Sequence, residues 1–232
     1  MRRVSITRVS RRLGLMLAVA ALLSPSLAHA APARVTLTDL GRMIVKSLAG
    51  ASSFQVMLDT SSGAGASSSR QHITEYFVRR GNGFVVYAQL TMNGKTSTMV
   101  DTGKHLCMRP STSSAWNCTY PTALATSFLS STDIANTLKS SGTSMQNITD
   151  AGAKTVQGQS CLGYNFTAIS KLIHFTGHGV YWFSTATGRI VEMTEVGSIA
   201  VTAGTRGVVS TTTVVYSRWN DPSIKLPAVP AS

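Results

Sequence analysis

The sequence predicts a single domain of the mainly β (α+β) class, built on a long antiparallel sheet. Many short segments alternate apolar and polar residues with a period of two, as in SFQVMLDT, which indicates strands with one buried face. Asn93-Gly94 lies between two such segments and is a strong signal for a tight hairpin. Only 13% of the residues are charged, while Ser, Thr, Gly and Ala are abundant, a composition that favours β structure over a helical bundle.

The first thirty residues have the features of a secretory signal peptide. A basic stretch is followed by the apolar run LGLMLAVAALL (13–23) and by Ala28-His29-Ala30, a small-x-small cleavage signal. The apolar run is shorter than the roughly 20 residues that span a bilayer. We therefore predict cleavage after Ala30, a periplasmic or extracellular location and one mature domain over 31–232. An uncleaved anchor is the alternative.

Positive charge is in excess but is not concentrated. The chain has 21 Lys and Arg against 9 Asp and Glu, and five of the basic residues lie in the predicted signal peptide, which leaves 16 and a formal charge of about +7. The densest group in the mature chain is Arg79-Arg80, whereas nucleic-acid-binding proteins cluster such residues. We expect no nucleic-acid partner. An anionic membrane surface fits this charge, and scattered solvated charges are the alternative.

The first predicted element of the mature chain is a helix over 38–49, TDLGRMIVKSLA. Thr38 is its expected N-cap, Asp39 suits the positive end of the helix dipole, and Leu40, Ile44 and Leu48 recur every four residues.

Strands follow this helix. SFQVMLDT places Phe54, Val56 and Leu58 on one side, and SSGAGASSS (61–69) is typical of a flexible loop. The next predicted strands are HITEYFVRR, GFVVYAQLTM, STMV, KHLCMR and WNCTY.

Residues 125–140 interrupt the β pattern and predict a helix, or a broken pair of helices, with one apolar side. Strands then resume in AKTVQG, CLGYNFTAI, HGVYWFS, RIVEMTEVG and TRGVVSTTTVVYSRW. About ten antiparallel strands twist too much to remain one flat sheet. Several of them are apolar on both sides, so we expect the sheet to close on itself, to pack against a second sheet or to enclose an apolar cavity.

Three cysteines remain in the mature chain. In an oxidising compartment one pair is expected to form a disulfide. Cys107 and Cys118 flank RPSTSSAWN, which suits a hairpin connection, and we predict a bridge between them; Cys118–Cys161 is the rival pairing.

The catalytic and metal-binding patterns in the chain are weak. Asp101-Thr102-Gly103 matches one half of an aspartic protease site, but that chemistry needs two facing carboxylates and the chain has one copy, so we predict a tight turn. His174 and His178 have the spacing of a helical metal pair, yet the glycines around them disfavour a helix. We predict no catalytic residues, no metal site and no cofactor.

Three segments follow one another at a characteristic spacing: AGAKTVQGQSCLGYNFT (151–167), GVYWFSTATGRIVEMT (179–194) and the ending YSRWNDPSIKLPAVP. This order and spacing of elements resembles that of the periplasmic lipoprotein carriers (LolA-like) and the related lipid-binding lipoproteins of the LppX/LprG type. The likeness covers roughly residues 38–227. The chain departs from the LppX/LprG type because it lacks a lipidated N-terminal cysteine.

The resemblance implies an unclosed antiparallel β half-barrel whose apolar face is covered by a helical lid. It further implies that the last strand ends at the open edge, that Asn220-Asp221-Pro222 turns the chain, and that Ile224-Lys225-Leu226 lies along that edge.

On this basis we predict a monomeric, non-enzymatic protein that holds or shuttles a lipid or a lipoprotein acyl chain. The expected cavity wall consists of Phe54, Val56, Leu58, Phe84, Val86, Val180 and Trp182. The expected apolar lid residues in 125–140 are Phe128, Leu129, Ile134 and Leu138. The alternative is a secreted structural or sensing domain on the same scaffold, with a filled core and a protein or glycan partner.

Overall fold

A computed structural model of the chain describes residues 35–64, 67–81, 83–92, 94–102, 105–113, 115–119, 142–170, 174–199 and 207–228. All of them belong to one compact unit, Ala33–Ser232. The predicted signal peptide and the predicted lid helix, with Phe128, Leu129, Ile134 and Leu138, lie outside the described residues.

The predicted N-terminal helix is present as α1, Leu37–Ala49. Its N-cap is Thr36, and the prediction of Thr38 is wrong because the helix begins before that residue. The Thr36 hydroxyl accepts a hydrogen bond from the Asp39 backbone N–H at 3.2 Å, and the Asp39 carboxylate accepts one from the Thr36 N–H at 3.1 Å. This reciprocal capping box satisfies two backbone donors at the start of the helix. It also holds the pKa of Asp39 below its ordinary value, the Thr36 hydroxyl being the main cause.

The described residues form eleven strands in a single antiparallel sheet. They are β1 Ser53–Ala64, β2 Ser67–Arg80, β3 Gly83–Met92, β4 Lys95–Asp101, β5 Leu106–Pro110, β6 Asn117–Thr119, β7 Thr143–Val156, β8 Gln159–Ser170, β9 Phe175–Ser184, β10 Ile190–Ile199 and β11 Val208–Ser217. Their order is β6-β5-β4-β3-β2-β1-β11-β10-β9-β8-β7, so the sheet does not close. The prediction of a mainly β fold on an unclosed antiparallel sheet is confirmed.

The last strand lies in the middle of this sheet. β11 pairs with β1 on one side, from Gln55↔Ser217 to Gly63↔Val209, and with β10 on the other. The expectation that the last strand ends at the open edge is therefore wrong. Two meanders, β1–β6 and β7–β11, meet at the β1–β11 pair, and the edges are β6 and β7.

Two polar segments are strands where the sequence predicted otherwise. The described residues of the expected loop 61–69 instead extend β1 to Ala64 and begin β2 at Ser67, and the Ser62 and Ser69 hydroxyls hydrogen-bond across the two strands at 2.8 Å. β7 begins at Thr143, about ten residues before the predicted AKTVQG. Both segments lack apolar alternation, and in both the ladder of backbone hydrogen bonds to a neighbouring strand fixes the structure.

The helix α1 packs on one of the two faces of the sheet. Leu40, only 1% exposed, packs against Phe166, Phe183 and Ile190, and we call the face that carries these residues the helix face. Residues opposite one another on adjacent antiparallel strands share a face, so the register shows on which face each remaining strand residue lies. The opposite side is the outer face. It contains a smaller cluster of Val156, Cys161, Trp182 and Val191.

The segment after β11 turns at Asn220–Pro222, as predicted. The Asn220 side-chain oxygen accepts hydrogen bonds from the backbone N–H and the hydroxyl of Ser52, at 2.7 and 3.1 Å, and its own N–H donates to the Ser53 carbonyl at 2.8 Å. Asn220 has a φ of 57°, in the left-handed region that asparagine tolerates better than most residues. Ile224, on the following segment, is buried. The C-terminal segment thus joins the start of β1 in the centre of the sheet.

The predicted disulfide is confirmed. Cys107 and Cys118 are cross-strand partners on β5 and β6, eleven residues apart, and they form a bridge. It closes the connection of the hairpin at one edge of the sheet. Cys161, the rival partner, is a buried free thiol on β8, and burial raises its pKa.

Candidate functional site

Five of the seven predicted wall residues lie together on the helix face. Phe54, Val56 and Leu58 alternate along β1, and the register places Phe84 and Val86 of β3 on the same side. The Phe54 ring stacks on Phe77 at 4.5 Å between ring centroids and on Trp219 at 5.0 Å, and it meets Phe84 edge-on at 5.3 Å. This part of the helix face is filled by the protein's own aromatic side chains.

The other two predicted wall residues lie on the outer face. Val180 and Trp182 of β9 pack with Cys161 and Val191, whereas their neighbours Tyr181 and Phe183 point to the helix face. The run VYWF is apolar at every position, so its alternation does not tell which side is which. Gly163 lies directly under the Trp182 ring, which leaves no room for a Cβ atom there.

A pocket of about 570 Å³ opens on the helix face between α1, the beginning of β8 and the β9–β10 turn. Its apolar lining is formed by Met43 of α1, Leu162 and Tyr164 of β8, and Phe183 of β9. Leu162 is 42% exposed, an unusual state for a leucine opposite a buried phenylalanine. The volume lies in the range typical of small-molecule sites.

Sequence analysis missed the residues of this pocket, although one signal was present. Leu162, Tyr164 and Phe166 alternate in CLGYNF, which indicates that they share a face of β8. The contribution of Met43 could not be predicted, because it depends on where α1 crosses the sheet.

The polar lining of the pocket is basic and rich in hydroxyl groups. Lys46 of α1 and Arg189 of the β9–β10 turn are its charged residues, and Ser47, Ser184, Thr185 and Thr187 supply hydroxyls. The Arg189 guanidinium lies over the Trp219 ring at 5.0 Å, a cation–π contact that orients it. None of the described lining residues is acidic.

Two carboxyl and two phenol groups also lie on the helix face. Burial raises the pKa of Glu75 and of Glu195 above the ordinary glutamate value. Burial, with a smaller contribution from the Glu195 charge, raises the pKa of Tyr181 to about 12, and burial likewise raises that of Tyr216. The neutral form of each group is therefore favoured on this face.

A second pocket, of about 560 Å³, lies over the far end of the β1–β2 hairpin and is polar. Asp59 and His72 belong to its lining: the Asp59 carboxylate contacts the His72 Nδ1 at 2.6 Å, and the His72 Nε2 contacts the Thr74 hydroxyl at 3.1 Å. This acid–imidazole–hydroxyl series has the connectivity of a nucleophilic triad, and sequence analysis did not find it because the cross-strand register creates it. β2 pairs with strands on both sides, so its backbone N–H groups are engaged in the sheet and do not form an oxyanion hole.

The described residues of the weak motifs lie on or next to the sheet. Asp101 ends β4 and is buried, and the Thr102 N–H donates to the His105 carbonyl at 3.1 Å, whereas Gly103 of the predicted turn lies outside the described residues. His178 lies in β9 and its Nδ1 contacts the Thr167 hydroxyl at 3.2 Å. Within the described ranges, no group of three or more His, Cys, Asp or Glu is arranged to hold a metal ion. Nor does that part of the chain contain a helix of the length and apolarity needed to cross a membrane.

Several solved structures are similar to this chain. A DUF1329 family protein from Desulfovibrio piger is 14% identical, with 82% of this chain and 93% of that one covered and a TM-score of 0.33. A LolA superfamily protein from Nitrosomonas europaea is 12% identical over 85% and 96%, with a TM-score of 0.28. A putative outer membrane lipoprotein-sorting protein domain from Vibrio parahaemolyticus is 9% identical over 82% and 92%, with a TM-score of 0.31.

No protein-family model matches the chain, and neither does any curated protein. One of the similar structures named above is a LolA superfamily protein, the group that the order of the sequence elements resembles.

Proposed function

We propose that this protein is a non-enzymatic binding protein that holds an acyl chain in the pocket between α1 and β8–β9. The observation that carries the proposal is the open pocket lined by Met43, Leu162, Tyr164 and Phe183, with Leu162 left 42% exposed. Burial of each methylene group of a chain against such a lining stabilises the complex by about 0.8 kcal/mol, less the ordering costs of association. Holding or shuttling of a lipid or lipoprotein acyl chain, in a periplasmic or extracellular setting, is the role that the sequence resemblance implies.

The proposed binding site differs from the cavity wall predicted from the sequence. Phe54, Val56 and Phe84 are buried in one cluster that also contains Phe77 and Trp219, and Val86 is buried as well, so these side chains belong to the protein's own core. The proposed chain lies further along the helix face, where α1 and β8 leave space. A lid over 125–140 remains part of the prediction.

The proposal is tested with the purified full chain. Organic extraction followed by mass spectrometry should recover a co-purified lipid, and Nile red, a neutral apolar dye, should bind with a rise in fluorescence that added fatty acid reverses. Leu162→Glu places a charge in the pocket and should abolish dye binding.

Val196→Glu is the matched control, because Val196 is 51% exposed on β10 opposite His178, on the outer face. It should leave dye binding unchanged. Absence of both lipid and dye binding, or equal loss in the two variants, would overturn the proposal and favour a filled core with a protein or glycan partner.

A further inference from the structure

We propose that the pocket selects a single-chain amphiphile with an anionic headgroup, a carboxylate or a phosphate, which binds at Lys46 and Arg189. This inference rests on the proposed function and adds the class of ligand to it. Lys46 and Arg189 line the same pocket as the apolar residues Met43, Leu162 and Phe183. The site therefore presents an apolar wall and two cations to one ligand.

The two cations have no acidic partner among the described residues. The ion pairs in that part of the chain are Arg42–Asp39, His72–Asp59 and Arg218–Asp221. Arg189 contacts the Trp219 ring, which fixes the guanidinium and leaves its N–H donors for another acceptor. The pocket thus holds uncompensated positive charge beside an apolar surface.

The end of α1 does not cancel this charge. The last carbonyl groups of a helix carry a partial negative charge that would repel an anion. Here the Arg79 guanidinium donates to the carbonyls of Ala51, Leu48 and Ala49 at 2.7, 2.9 and 3.0 Å. A third cation therefore neutralises the helix end next to the pocket.

Hydroxyl groups add further donors around the same space. Thr187 Oγ1 accepts a hydrogen bond from the Arg189 N–H at 3.3 Å, and Ser47 Oγ accepts one from the Ile190 N–H at 2.8 Å. Because each hydroxyl accepts from the backbone, its own O–H remains available as a donor. Guanidinium, ammonium and hydroxyl donors on one rim are the groups that bind carboxylate and phosphate oxygens.

The test compares dodecyl amphiphiles that share one chain and differ in headgroup, each below its micellar concentration. By titration calorimetry, laurate and dodecyl phosphate should bind about tenfold more tightly than dodecyl maltoside or dodecyltrimethylammonium, the effect expected of two partly solvated charge contacts. Added salt should reduce this preference. Acetate and inorganic phosphate, which lack the chain, should not bind.

Lys46→Gln combined with Arg189→Gln should remove the preference and leave dodecyl maltoside binding unchanged. Lys95→Gln combined with Arg80→Gln is the matched control, since it removes the same charge outside the residues that line the pocket. Arg189→Lys keeps the charge and should retain most of the preference. It distinguishes loss of the charge from a folding defect in the glutamine variant.

Equal affinity for all four amphiphiles, or equal loss of preference in the control, would overturn this inference and leave the proposed function standing. Failure of every amphiphile to bind would overturn both.

Discussion

At the scale of single residues, Glu75 is a carboxyl group in largely apolar surroundings. Its cross-strand neighbours on the helix face are Val56 of β1 and Ala88 of β3, and Ile73 and Phe77 flank it along β2. Burial among these apolar groups raises its pKa above the ordinary 4.5. Folding therefore favours the protonated carboxyl group.

This burial makes the stability of the protein depend on pH in a defined direction. Because the folded-state pKa is raised, the stability that the protonated Glu75 contributes to the free energy of unfolding is fully present below pH 4.5. It is lost as the pH rises through the raised pKa. Glu75→Gln should therefore be more stable than the wild type at neutral pH and equal to it at low pH, as measured by urea unfolding across a pH series. Glu75→Asp, which retains the carboxyl, should keep the pH dependence; an unchanged slope in Glu75→Gln would contradict this account.

At the scale of elements, the contact between α1 and β10 combines the packing of Leu40 on Ile190 with one buried hydroxyl. Ser47 lies on the sheet side of α1, and its oxygen accepts the hydrogen bond of the Ile190 N–H at the first residue of β10. Ser47 and Ile190 are both buried. A serine in a helix rarely signals such a role, and the sequence predicted only the apolar residues Leu40, Ile44 and Leu48.

Ser47→Ala should destabilise the protein by about 1–3 kcal/mol, because it leaves the Ile190 N–H buried without an acceptor. Chemical unfolding monitored by tryptophan fluorescence measures the change. Thr38→Ala, an exposed substitution in the first turn of the same helix, is the control and should shift stability by less than about 0.5 kcal/mol. A loss in Ser47→Ala no greater than in the control would show that the hydrogen bond contributes little.

Sequence patterns identified elements well where one side of an element is apolar and the other polar. They predicted α1 nearly to its ends, the face of Phe54, Val56 and Leu58, and the Cys107–Cys118 hairpin. In β9 they placed Val180 and Trp182 on the face that the structure gives to Tyr181 and Phe183, because this run is apolar throughout and a shift of one residue exchanges the two sides. The pocket could not be predicted because it depends on the position of α1 over β8.

At the scale of the whole molecule, the order of the strands predicts a gradient of local stability. β1, β10 and β11 are paired on both sides in the middle of the sheet, whereas β6 is a three-residue edge strand. Amides in the central strands should exchange with deuterium far more slowly than those in β5 and β6, because opening of an edge leaves the rest of the sheet intact. Uniform exchange rates across the eleven strands would contradict this expectation.

The strand order itself was not predictable from local patterns. Hairpin signals such as Asn93-Gly94 indicate which consecutive strands pair, and the structure follows them within each meander. No local signal joins β1 to β11, which are separated by most of the chain. Their pairing is a property of the complete sheet, and it corrected the expectation of an edge position for the last strand.

The central position of β11 has a consequence for how the nascent chain matures. Synthesis delivers β1 before β11, so the flank of β1 stays without its partner until the strands between them have been made. An unpaired strand flank is a template for association with other chains. A chain that stops before Val208 would leave the flank of β1 unpaired and able to associate with other chains. Formation of β11 covers that flank.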